Sequence, residues 1–203
     1  MSERFARVNV VGASGSGKST FAKQLASTLE LPLIEMDALF WNPNWSESPD
    51  DVFFGRLRAA LAQPCWVLDG NYDRTLPLKW QDVTAVIWLD YSLRRTLLQG
   101  LKRALFRAWT KAEIWPGTGN RESFRTTFFS KKSVLLWSLQ SHGRIRTRYA
   151  ERMRSPAYAH IEFHRLRSPA EAQAFLERVT LRSLSRERRT EARHEPRAPS
   201  ESR

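Results

Sequence analysis

The chain has 203 residues and a mass of 23.6 kDa, room for one domain with a substantial core and too little for two. Apolar residues make up 41% and charged residues 27%, which excludes disorder of the chain as a whole. Lys and Arg number 33 against 21 acidic residues, a net charge of +12, so the expected partners are anionic: nucleotide, nucleic acid or an acidic membrane surface.

That charge is concentrated. Residues 1–93 carry 8 basic and 11 acidic groups, 94–154 carry 15 and 3, and 155–203 carry 10 and 7. A near-neutral body therefore bears one cationic insert. The single cysteine, Cys65, excludes an intrachain disulfide and a thiolate metal cluster, and its apolar neighbours Trp66, Val67 and Leu68 mark it as packing. The start, Met1-Ser2-Glu3-Arg4, lacks the apolar stretch of a signal peptide, and no apolar run approaches about 18 residues. The expectation is a soluble cytoplasmic protein.

Val8, Val10 and Val11 make a β-branched run that stops at Gly12, and Phe21, Leu25 and Leu29 recur four apart. This predicts a strand, a Gly-rich loop and a helix over 20–29. Leu31-Pro32 ends that helix, and 33–36 reads as a second strand leading into Asp37. An aromatic loop follows, Phe40-Trp41-Asn42-Pro43-Asn44-Trp45. Ser48-Pro49-Asp50-Asp51 is a helix start ahead of Val52, Phe53, Phe54 and Leu57, with a stop near Gln63 before Pro64. Residues 65–68 read as a third strand closing on Asp69-Gly70-Asn71-Tyr72, and 85–89 as a fourth closing on Asp90, itself a helix-capping residue type.

Helical spacing returns over 93–109 with Leu97, Leu101 and Leu105, and Pro116-Gly117-Thr118-Gly119-Asn120 breaks it. Two further basic helical segments are expected near 121–140 and 144–154. A fifth strand is expected over 160–166 and a last helix after Ser168-Pro169-Ala170-Glu171. From about 181 Arg, Glu, Ser and Pro dominate, which predicts a disordered basic tail to 203. The alternation of short apolar strands with helices predicts an α/β fold: a five-stranded parallel sheet with helices on both faces and its functional loops at the strands' carboxyl ends. The expected domain is 1–180, with the basic insert at about 94–154.

Gly12-Ala13-Ser14-Gly15-Ser16-Gly17-Lys18-Ser19 fits G-x-x-x-x-G-K-[ST] at every defined position. Glycines let the backbone curl so that successive N–H groups point at a phosphate, and the helix opening near Thr20 adds its positive end. Lys18 would bridge the β- and γ-phosphates of ATP, and Ser19 would offer its hydroxyl to Mg²⁺. The stretches Leu68-Asp69-Gly70 and Leu89-Asp90-Tyr91 both lack a Glu after the Asp. The acid pair of work-performing ATPases is thus missing, which favours transfer to an acceptor over hydrolysis.

The phosphate loop, Glu35-Met36-Asp37 and Val67-Leu68-Asp69-Gly70-Asn71-Tyr72 resemble the adenylate-kinase-like P-loop kinases. Met36-Asp37-Ala38-Leu39-Phe40-Trp41 together with Asp-Gly-Asn-Tyr is most similar to the bacterial DNA topology modulation protein group. The resemblance spans about residues 7–179. It implies a P-loop fold, ATP and Mg²⁺ as cofactors, and phosphoryl transfer to a small-molecule acceptor such as a nucleotide, nucleoside or sugar-like metabolite.

By the same resemblance Asp69 holds Mg²⁺ together with Ser19, and Gly70 lets the acceptor approach. Asp37 takes the acceptor's proton or helps hold the metal. The cationic insert becomes a lid whose Arg103, Arg107, Arg121 and Arg125 lie over the phosphates and adenine, with Arg167 after the fifth strand near the base. Trp41, Asn42, Trp45, Asn71, Tyr72 and Arg74 cluster by topology on the acceptor side, beside Gly70, where aromatic walls suit a planar or sugar-like molecule. Asp-Gly-Asn-Tyr-Asp-Arg replaces the Asp-Gly-Phe-Pro-Arg of adenylate kinases, which argues against AMP. By composition alone Asp69 and Asp37 are also ordinary turn and cap residues, Trp41 and Trp45 ordinary packing, and any one arginine a solvated face.

The basic residues of the insert exceed what a lid needs. Trp109, Trp115 and Trp137 lie among them, so nucleic acid is the second expected partner. A membrane partner is not expected.

Overall fold

In the computed structural model, which describes residues 3–110, 119–120 and 134–194, the β-branched run forms β1 (Arg7–Gly12), followed by α1 (Lys18–Leu29). Then come β2 (Leu33–Glu35), the short α2 (Met36–Phe40), and a hairpin of β3 (Trp41–Asn42) and β4 (Ser46–Glu47) where the aromatic loop was expected. Next in order are α3 (Asp50–Leu61), β5 (Trp66–Asp69), α4 (Leu76–Lys79) and β6 (Ala85–Leu89). The insert contributes α5 (Leu93–Thr110) and α6 (Val134–Arg154), and β7 (Glu162–Leu166) and α7 (Pro169–His194) complete the fold.

The main sheet is parallel throughout, in the order β2-β5-β1-β6-β7. Its central strands are buried on both faces, as continuous apolar sequence requires. On one face Val8, Val10, Ile87 and Leu89 meet Phe21 and Leu25 of α1 and Phe175 and Leu176 of α7. On the other, Val11, Leu68, Val86 and Trp88 meet Phe53 and Leu57 of α3 and Ile145 and Tyr149 of α6. Each such fully buried side chain contributes on the order of 1.5–3 kcal/mol.

The turn signals act by different atoms than the sequence suggests. At α7 the capping box forms: the Glu171 amide donates to Ser168 Oγ at 3.1 Å and its carboxylate accepts from the Arg167 amide at 2.9 Å. At α3 Pro49 occupies the cap and the Ser48 hydroxyl accepts from Arg56 instead. Asp90 does not cap α5. It lies buried at the end of β6, where Arg165 donates two hydrogen bonds to it and Arg146 approaches to 3.4 Å. The expected disordered tail is corrected over 181–194: α7 runs on through His194, because residues 170–195 contain neither Gly nor Pro and are rich in Ala, Leu, Arg and Glu.

Candidate active site

The parallel register brings Gly12, Glu35, Asp69 and Leu89 to one edge of the sheet. The phosphate loop spans that edge and delivers the chain into α1, whose cap Gly17 has φ 85° and whose first turn has no side-chain cap. Those N–H groups are available to an anion. Gly15 has φ 82°, and a Cβ there would stand 2.6 Å from the Thr96 carbonyl oxygen and 3.2 Å from Gly100 Cα. The loop is therefore pressed directly on the backbone of α5.

A cleft of about 460 Å³ opens beside it, with Gly15 to Thr20 and Gln24 on one wall and Tyr91, Gln99 and Arg103 on another. Pro169, Ala172 and Gln173 of α7 close its far end. Gln24, Tyr91, Gln99 and Gln173 carry no sequence signal; only the approach of α1, α5 and α7 identifies them. The buried Ser16 Oγ in this lining has no hydrogen-bond partner.

Asp69 is buried beside this loop and accepts a hydrogen bond from Ser19. Burial pushes its carboxyl above the usual range, and the nearby Lys18 and the Ser19 hydroxyl oppose that rise; Asp37 and Glu35 reinforce it. Its Oδ1 has no hydrogen-bond partner. An orphaned carboxylate oxygen next to a hydroxyl is an all-oxygen donor set that fits Mg²⁺. Among the described residues no group of three or more His, Cys, Asp or Glu could hold a metal by itself, so Mg²⁺ here would complete its shell from phosphate and water.

Beneath the site runs a network. The Asn71 amide pairs with Gly12 at both ends, accepting from its N–H at 3.1 Å and donating to its carbonyl at 2.7 Å. Lys79, 1% exposed, donates to the carbonyls of Asn71 and Gly70. Asn9 donates to Leu68 and Gly70 and accepts from the Trp80 indole at 2.9 Å. Burial, aided by the Arg152 charge, lowers the Lys79 pKa to about 7. Burial likewise pushes Tyr149, whose ring lies 6.2 Å from that of Trp80, up to about 12. The network fixes the phosphate loop relative to the loop after Asp69.

On the side expected for the acceptor, Tyr72 donates to Asp37 Oδ1 at 2.7 Å and packs between Phe40 and Phe53. Burial and the Asp37 charge push its phenol above its ordinary value, so it stays a donor. Trp41 meets Phe40 at 4.9 Å and Trp45 at 5.6 Å, both edge to face. Three expected acceptor contacts have other work. Asn71 is committed to Gly12. Arg74 stacks over Phe40 and Phe53 and pairs with Asp50 at 3.2 Å. Gly70, at φ 143°, leaves room for Met36, whose side chain a Cβ would meet at 2.8 Å.

Of the expected ATP contacts, Gly15, Ser16, Gly17, Lys18, Ser19, Thr20 and Arg103 line the cleft. Gly12 and Ala13 are buried at the root of the loop. Arg107 lies on α5 with its side chain outside the described residues, as are Arg121 and Arg125 altogether. Arg167 lines a different cavity, with Arg154 and Arg165, and its amide donates to Glu171 in the cap of α7. The excess charge is partly structural: Arg148 and Arg152 pair with Asp73, and Arg146 with Asp90, fastening α6 to the body.

No protein-family model and no curated protein matches the sequence. Among solved structures the chain is similar to shikimate kinase from Acinetobacter baumannii in complex with shikimate: 16% identity, 91% of this chain and 96% of that one covered, TM-score 0.50. It is also similar to a gluconokinase from Sinorhizobium meliloti, at 19% identity over 90% of this chain and 98% of that one, TM-score 0.45. The fold is thus the α/β fold of the shikimate kinase, and a fold does not by itself fix an activity.

Proposed function

We propose that the chain is a kinase that transfers the γ-phosphoryl group of Mg²⁺-bound ATP to a hydroxyl of a small acceptor. The observation that carries this reading is the buried Asp69 carboxylate, hydrogen-bonded to Ser19 and close to Lys18, with its Oδ1 unpartnered. The phosphate-loop N–H groups and Lys18 bind and orient the triphosphate, and the adenine takes the far end of the cleft between Arg103 and Pro169. When bound, Mg²⁺ supplies positive charge to the phosphate oxygens, held by Ser19 and Asp69.

Asp37, exposed to the crevice and oriented by Tyr72, receives the acceptor's hydroxyl proton as its oxygen bonds to the γ-phosphorus. The bond to the β-phosphate oxygen breaks and ADP leaves. The absence of a second acid after Asp69 favours this transfer over attack by water.

The finer resemblance to the DNA topology modulation group rests on residues 36–41 and 69–72, which in this reading form the floor of the acceptor site. Nucleic-acid binding is the weaker reading, since Arg146, Arg148 and Arg152 are committed to acids of the body.

The test is transfer of labelled γ-phosphate from Mg²⁺-ATP to a panel of nucleoside monophosphates, nucleosides, gluconate, shikimate and other sugars, against acceptor-free hydrolysis. At least one acceptor should exceed that background, and Lys18→Ala should abolish the excess. Background rates with every acceptor, or undiminished transfer by Lys18→Ala, would refute the reading.

A further inference from the structure

The β3–β4 hairpin pairs only two residues on each strand, Trp41 with Glu47 and Asn42 with Ser46, and a hairpin that short does not stand alone. Its turn is also strained. Asn44 and Trp45 both have φ 57°, the left-handed region that an asparagine tolerates and a tryptophan resists, because its Cβ crowds the carbonyl. Such a conformation persists only where its surroundings enforce it.

At its base the hairpin is held from within the body, where Arg56 donates to the Leu39 carbonyl, Asn42 Oδ1 and Ser48 Oγ. At its turn it is held by Asn120, from the cationic insert. Asn120 is 0% exposed. Its Oδ1 accepts from the Trp45 N–H at 2.8 Å and its Nδ2 donates to the Asn42 carbonyl at 3.0 Å. One amide thus bridges the Asn42 carbonyl and the Trp45 N–H across Pro43 and Asn44, pairing a donor with an acceptor, a combination that neither a carboxylate nor an apolar side chain offers.

From this we infer that Asn120 is a positioning residue: the insert, through this one amide, holds Trp45 against Trp41 and so completes the aromatic side of the acceptor crevice. The word acceptor rests on the kinase reading above; the staple between insert and hairpin does not. The insert thus meets both halves of the site among the described residues: Gln99 and Arg103 of α5 line the cleft, and Asn120 fastens the hairpin.

The staple is tested without any substrate, by residue-resolved amide hydrogen exchange on the full chain. Wild type should protect the Trp45 amide, and Asn120→Ala should accelerate its exchange by about tenfold or more while amides of β1 and β5 keep their rates. Asn120→Asp, which retains an acceptor for Trp45 but cannot donate to Asn42, should lie between the two. Trp45 exchange within about twofold of wild type in both variants would overturn the inference, and so would equal losses in β1 and β5, which mark a general fold defect.

The second measurement uses whichever of gluconate, shikimate or a nucleoside monophosphate is turned over. Asn120→Ala should raise the acceptor KM about fivefold or more and leave the ATP KM unchanged; the reverse pattern would overturn the positioning role. Localised exchange in a chain that phosphorylates nothing would uphold the staple and sink the kinase reading instead.

Discussion

Replacing Lys79 by methionine isolates the most unusual charge in the protein. Among the described residues Lys79 is buried with no acid partner, its amine donating to the carbonyls of Gly70 and Asn71. Its folded-state pKa is about 7 against 10.5 for a free lysine. The sign follows from linkage. Between these values the unfolded chain binds the proton and the folded chain does not, so stability rises as pH rises through this window.

Between pH 7 and 9 the rise amounts to about 2 kcal/mol. The window lies below the range in which unfolded tyrosines ionise, so Tyr72, Tyr91 and Tyr149, all pushed up by burial, do not confuse it. Lys79→Met keeps an apolar stem of similar length and removes both the charge and the donors. At pH 9, where the wild-type amine is neutral and bonded, the variant should be less stable by about 1–3 kcal/mol, because the Asn71 carbonyl loses its donor while the Gly70 carbonyl keeps the one from Asn9. At pH 7 the gap should close to near zero, because the wild type then bears the cost of a half-charged buried amine. Urea denaturation followed by tryptophan fluorescence at pH 7, 8 and 9 measures both curves. Parallel curves would refute the claim that burial sets this lysine's charge.

Three further outcomes are expected. Asp69→Asn removes a desolvated carboxylate, so the free protein should melt at a higher temperature, while Mg²⁺-ATP should no longer raise the midpoint; a variant that still responds to Mg²⁺-ATP like wild type would contradict the metal assignment. Asn71→Ala releases both backbone groups of Gly12 and should cost about 1–3 kcal/mol of stability and raise the ATP KM, both measurable on one preparation. Gly15→Ala places a methyl 2.6 Å from the Thr96 carbonyl oxygen at φ 82°, so ATP binding by calorimetry should be lost while the circular dichroism of the sheet and helices persists.

The phosphate loop was legible because its chemistry is contiguous: backbone donors, Lys18 and Ser19 follow one another along eight positions. The place of Asp69 was legible because it ends a strand whose carboxyl edge must converge with that of β1 in a parallel sheet, whereas Asp37, expected at a strand end, lies in the first turn of α2. On the side expected for the acceptor, Asn71 and Arg74 have the residue types of ligand contacts, and in the fold they also meet Gly12 and Asp50, partners that no local pattern reveals.

By itself, then, the sequence determined most of the elements, the parallel sheet and the end of it that bears the Gly-rich loop, since short-range periodicity and contiguous motifs encode each of these. The tertiary structure alone decided how that end is held and shaped. Asn9 meets Trp80 71 positions away, Asn120 meets Trp45 75 away and Arg165 meets Asp90 75 away. It also divided described arginines of the cationic segment between the cleft beside the Gly-rich loop, where Arg103 lies, and the ion pairs that fasten α6. Each of these pairings joins a polar group to a partner set by the packing of separate elements. A buried polar group must find a partner somewhere, and only the assembled fold determines which one is within reach.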